Sequence, residues 1–166
     1  ECIYKKQFKE GWWIYQQLDR SLRELPRATV QLARVSALAV GTLLAIHQFA
    51  QEQNEDWLKR VRSMTAELRR ERIPFTLMLA DYYDGLTLLQ ISHRTGSEQG
   101  VSQCRAVLRS ARTQAEQQHL LPYVLAAEDA LKESETGQSS DLLNSRMFQH
   151  GVVNPESFSR LYTVKL

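Results

Sequence analysis

Proline and glycine are scarce in this chain, at four and seven residues out of 166. Sheet folds built from many short strands need turn residues at every reversal, so the scarcity points to helices. Cysteine is scarcer still. Cys2 and Cys104 lie far apart, one near the N-terminus and one on an apolar helical stripe, which argues against a disulfide scaffold and suits a reduced, cytoplasmic protein. Long hydrophobic runs are missing as well. The best of them, Val35 to Ile46, is interrupted by Ser36, Gly41 and Thr42 and flanked by Arg34 and His47, which reads as too short to span a bilayer and as a buried core helix. No basic-then-apolar leader precedes the fold and the first residue is Glu1, so a piece of a longer protein is expected. Excess charge is also lacking. The net charge of +2 does not imply a nucleic-acid partner for this segment. With 43% hydrophobic and 24% charged residues, the chain can bury one contiguous core, and one domain is the default.

What is present is apolar residues at helical spacing. Tyr4, Phe8, Trp12, Tyr15 and Leu18 recur every three or four residues, the signature of one face of a helix from about Ile3 to Leu22. Trp13 points about 100° away from that face and is expected to be exposed. Pro26 suits a first helical turn, where its missing N–H costs little, and the apolar run to Ala50 gives a second, central helix. Gln51 to Asn54 is a polar break, with Asn54 as the cap of a third helix carried by Trp57, Val61, Met64 and Leu68. The fourth helix runs from about Pro74 to His93 on Phe75, Met78, Tyr82, Leu86 and Leu89, and stops near Thr95-Gly96 in a left-handed turn. Val101, Cys104, Leu108, Ala111 and Ala115 define a fifth helix. Leu121, Val124, Ala127 and Leu131 define a sixth.

From Glu133 to Ser140 the chain is polar and turn-rich, so a helical domain over 1–134 and a linker with tail over 135–166 are expected. Asp141 to Phe148 reads as a short helix, and Asn154-Pro155 as the cap of a turn carrying Phe158, Leu161 and Tyr162. Three such anchors are expected to pack back on the stack or against a neighbour.

A shift of 40 residues aligns Val61, Met64 and Leu68 with Val101, Cys104 and Leu108. The same shift aligns Leu38, Thr42, Ile46 and Phe49 with Met78, Tyr82, Leu86 and Leu89. Two consecutive helices therefore repeat together, at a period that fits helix-turn-helix solenoids. The expected fold is all-α, with about six long helices plus a short C-terminal helix or turn, stacked as antiparallel pairs in a right-handed, tetratricopeptide-like solenoid. Gly85, Gln103-Cys104, Leu108 and Ala111 resemble the small-and-large alternation of tetratricopeptide pairs, although no Trp-x-x-Leu-Gly-x-x-Tyr signature is present. The segment from Leu79 to Leu131 is similar to the helical sensor domains of bacterial transcription activators of the maltose-regulon type. That resemblance implies a non-enzymatic module of a larger regulatory protein, binding a protein or small effector. A secretion-type tetratricopeptide chaperone or adaptor is the alternative.

Candidate chemistry is sparse. His47, His93, His119 and His150 lack metal-ligand spacing, and Gly96 and Gly100 lack the third glycine and the Lys-Ser/Thr of a phosphate loop. His47 reads as an imidazole interacting with a helix C-terminus, and Cys104 as a packed, inert thiol. Asp81 and Asp84 share a helix face, but no nucleophile or metal ligand adjoins them. No catalytic residue, metal or cofactor is expected. The expected partner groove is lined by Gln48, Asp81, Tyr82, Asp84, Gln90 and Tyr123. Lys59, Arg60, Arg62, Arg69, Arg70 and Arg72 form a basic patch, read as a solvated face with Glu67 and Glu71 pairing locally. No membrane partner is expected, and self-association through an open end of the stack is compatible with a solenoid.

Overall fold

The computed structural model describes residues 7–137, together with Ser145, Gln149 and Tyr162. Its helices are α1 (Phe8–Arg23), α2 (Arg27–Glu52), α3 (Glu55–Arg70), α4 (Pro74–Thr95), α5 (Glu98–Gln117) and α6 (Leu121–Thr136). No strand occurs among the described residues. The expected start of the first helix at Ile3, the short helix at Asp141 to Phe148 and the Asn154-Pro155 cap lie outside the described residues.

Capping chemistry explains the tightest reversals. At the end of α2, Gln53 takes a left-handed φ of 53°, and the Asn54 side chain accepts the Asp56 N–H at 2.9 Å to open α3. At the end of α4, Gly96 takes a φ of 63°, and Ser97 Oγ accepts the Gly100 N–H at 3.1 Å to open α5. A side-chain cap of this kind stabilises a helix by about 1 kcal/mol. Pro74 sits in the first turn of α4 as expected. Pro26, by contrast, lies just before α2, and the first turn is instead interrupted at Val30, whose φ of −125° and ψ of 16° are not helical.

Each helix packs against the next in the chain, and α4 also touches α2 and α6. The division of labour follows composition. α3 buries Leu58, Val61, Met64, Thr65 and Leu68 and leaves its other residues half-buried or exposed, whereas α4 buries residues around most of its circumference. Glycine permits two of the closest approaches. A Cβ at Gly41 of α2 would lie 2.4 Å from the Tyr15 ring of α1, and one at Gly85 of α4 would lie 2.6 Å from Cδ2 of Leu108 on α5.

Several boundaries differ from the sequence reading. The apolar part of α2 is Val30–Glu52, not Val35 to Ile46, and by length and composition alone it is long and apolar enough to cross a membrane. In this fold 56% of its most apolar window is buried. The helix continues because Gln51 and Glu52 remain helical past the expected break. On α1 the buried stripe is Phe8, Tyr15 and Leu22, with Trp12 half-buried, while Leu18 is 47% exposed. α6 continues through Thr136, and its last turns bury Glu133 and Ser134 where a polar linker was expected to begin.

Candidate functional site

α4 turns one stripe toward solvent. Asp81, Asp84, Leu88 and Ile91 fall at helical spacing, are half-buried, and floor a groove walled by α3 and α5. The groove encloses about 480 Å³ and has two unlike ends. One end is apolar, with Leu58 of α3, Leu88 and Ile91 of α4, and Ala106 and Val107 of α5. The other is polar. There, one nitrogen of Arg69, Nη2, donates to Asp81 at 2.9 Å and lies 2.8 Å from Asp84. Asp81 also accepts from Gln114 Nε2 at 2.9 Å and from Ser110 Oγ at 3.5 Å. Partial burial pulls the Arg69 pKa down, but the hydrogen bonds and charges of Asp84 and Asp81 outweigh it and raise it. Arg62 stands exposed at the rim. The groove thus presents aliphatic contact along half its length and a braced cluster of charges along the other.

The six residues expected to share one groove are separated by the fold. Asp81 and Asp84 face it. Tyr82 is fully buried and Tyr123 is half-buried, and their rings meet edge to face at 5.7 Å on another side of α4. Gln90 is buried and borders a different pocket, with Phe49, His93 and Arg94. Gln48 is fully buried; its amide, oriented to satisfy both neighbours, donates to Glu52 and accepts the Lys9 N–H. The physical reason is the helical turn of about 100° per residue, which sends Asp81 and Tyr82 into different surroundings.

The basic residues of α3 are similarly divided. Arg62 and Arg69 face the groove with α5, while the Arg60 guanidinium lies 5.3 Å and 5.5 Å from the ring centroids of Trp12 and Trp57. Lys59 pairs with Asp56 at 2.9 Å, and Arg70 and Arg72 are exposed. Local pairing of Glu67 and Glu71 gives way to longer connections: Glu67 lies 3.7 Å from Arg23 of α1, and Glu71 accepts from Gln31 of α2 at 3.1 Å. These contacts tie α3 to its neighbours, a role that the charge count of one segment does not reveal.

Sequence reading missed an aromatic cluster in which four of the six tyrosines meet. Tyr82 and Tyr83 of α4 gather with Tyr123 of α6 and with Tyr162. The Tyr123 and Tyr162 rings meet edge to face at 5.2 Å, and the Tyr82 hydroxyl donates to the Tyr162 carbonyl. Burial raises the Tyr82 and Tyr83 pKa values well above the ordinary phenol range and pushes Tyr123 up to about 12.

Cys104 is buried with its thiol 3.4 Å from the Gly85 carbonyl, and burial pushes its pKa up to about 12, so the reactive thiolate is suppressed. His47 lies within α2 rather than in its last turn, and its ring stacks on Phe8 at 4.3 Å. Among the described residues, no group of three or more His, Cys, Asp or Glu side chains is arranged to hold a metal ion. No family model, no curated protein and no solved structure matches the chain.

Proposed function

We propose that the chain is a helical-repeat interaction domain of the tetratricopeptide-like, solenoid type, a non-enzymatic module of a larger regulatory protein, and that it engages a protein segment through the groove between α3 and α5. The observation that carries this reading is the half-buried stripe Asp81, Asp84, Leu88 and Ile91 on a helix whose middle turns are otherwise buried. Apolar residues left open beside an organised charge cluster favour docking over simple solvation. A trough formed by two helices over a third suits a short amphipathic helix, with aliphatic residues on Leu88, Ile91 and Val107 and polar groups toward Arg62 and the carboxylates. The packing of α4 against α2 and α6 as well as α3 and α5 supports stacked pairs as the architecture. The likeness of the Leu79 to Leu131 segment to maltose-regulon-type sensor domains supports a role in transcription regulation.

Selection of ligands from a random peptide library tests the reading. Selected peptides should perturb the amide resonances of Leu88, Ile91 and Val107, and Leu88→Arg, at a half-exposed position, should weaken them at least about tenfold, or about 1.4 kcal/mol. Peptides that map elsewhere, or that bind the Leu88→Arg chain equally well, would remove this groove from the argument.

A further inference from the structure

The groove over α4 carries its charges in a fixed order. At its polar end Asp81 and Asp84 share a single nitrogen of Arg69, at 2.9 Å and 2.8 Å. One guanidinium offsets one carboxylate, so this end keeps one negative charge in excess. Gln114 and Ser110 also occupy Asp81, whereas Asp84 has Arg69 alone among the described residues, so Asp84 is the carboxylate left to meet a ligand. Between this cluster and the aliphatic end the sign reverses. Arg62 stands exposed at the rim, one turn beyond Leu58, and its guanidinium makes no hydrogen bond or ion pair among the described residues. It precedes Arg69 by about two turns of α3, or about 10 Å along the groove.

We infer, on the reading that this groove docks an amphipathic helix, that its partner is a helix of ordered charge: an acidic residue beside the aliphatic stripe, for Arg62, and a basic residue about two turns farther from the stripe, for Asp84. Exposed charges of this kind add little to affinity in water, and their effect is on selection. A helix with the two charges exchanged sets its base against Arg62 and its acid against Asp84, and both juxtapositions repel. Because the order is counted from the aliphatic stripe, it is the same for either chain direction of the bound helix.

The test uses the full chain, isotope-labelled, and two synthetic helical peptides of identical composition and identical leucine stripe. One has glutamate beside the stripe and lysine about two turns farther away; the other has these two exchanged. Binding is read from the amide resonances of Leu88 and Ile91, which register even weak association. At low salt the first peptide should bind at least about tenfold more tightly, and in 1 M salt the preference should shrink to about twofold or less. Arg62→Glu, at an exposed position with no partner to lose, should reduce the low-salt preference to about threefold or less, and Asp84→Asn should reduce it similarly. Equal binding of both peptides to the unaltered chain, with both weakened by Leu88→Arg, overturns the charge order and leaves the groove standing. A tenfold preference that survives in both the Arg62→Glu and Asp84→Asn chains overturns it too. Failure of both peptides to move the Leu88 and Ile91 resonances at millimolar concentration overturns the groove itself, and this inference with it.

Discussion

Asp81 and Tyr82 are adjacent in the chain and occupy opposite kinds of environment. On one side of α4, Asp81, Asp84, Leu88 and Ile91 stay half-buried, braced by Arg69 and open to a groove. On the other, Tyr82 and Tyr83 are closed in, with Tyr123 and Tyr162 against them. The difference teaches that a helix packed on several sides is not uniform. Its closed face fixes the fold, and its open stripe is the face on which the proposed docking groove rests.

The largest effect should come from opening the closed face. Tyr82→Ala removes a fully buried ring and should cost about 3–5 kcal/mol in urea unfolding, whereas Asp84→Ala should cost about 1 kcal/mol or less. Similar losses at both positions would erase the distinction between the faces. Alkaline pH probes the same asymmetry without mutation. Burial raises Tyr15 and Tyr123 from 10.0 to about 12, and it favours the neutral phenol. The stability they contribute is fully present below pH 10 and is lost as pH rises toward 12, so the thermal midpoint should fall over that interval. A midpoint flat to pH 12 would show that these hydroxyls are not buried.

A smaller effect is expected at the seam with α5. Gly85→Ala places a methyl 2.6 Å from Leu108 Cδ2, where crowding costs about 1–3 kcal/mol against about 1 kcal/mol gained in helix propensity. The net loss should be about 1 kcal/mol. Adding Leu108→Ala should show a coupling that relieves it, and simple additivity of the two changes would refute the close approach. The smallest effect belongs to the open stripe. Arg69→Met should cost about 1 kcal/mol or less at low salt and still less in 1 M salt, since the Arg69 side chain is 40% exposed. A loss insensitive to salt would mean that the methylene stem, not the charge, is what matters there.

Local signals were legible where the physics is local. Asn54, Pro74 and Gly96 announce helix ends through capping, ring and left-handed backbone preferences, and the structure uses all three as expected. All-helical architecture likewise follows from apolar spacing. What was hidden depends on juxtaposition across the fold. The Arg69 contact to Asp81 and Asp84 requires α3 and α4 to meet in one register, and the stacking of His47 on Phe8 requires the start of α1 to lie beside the C-terminal part of α2. Placing Asp81, Tyr82 and Asp84 in one groove follows from assigning their whole helix to the inner side of a pair, although adjacent positions on a helix diverge by about 100° and already separate the carboxylates from the ring. Leu18 belongs to a periodic stripe but stays 47% exposed between the buried Tyr15 and Leu22, so periodicity alone overstates the buried face.

The two-residue reversals Gln53-Asn54 and Gly96-Ser97 leave almost no slack between α2 and α3 or between α4 and α5. A newly made α3 or α5 is therefore delivered straight onto the helix preceding it, before any distant segment must be found. Such short-range assembly keeps the chain-closure penalty small, favours rapid folding, and allows the fold to grow helix by helix during synthesis.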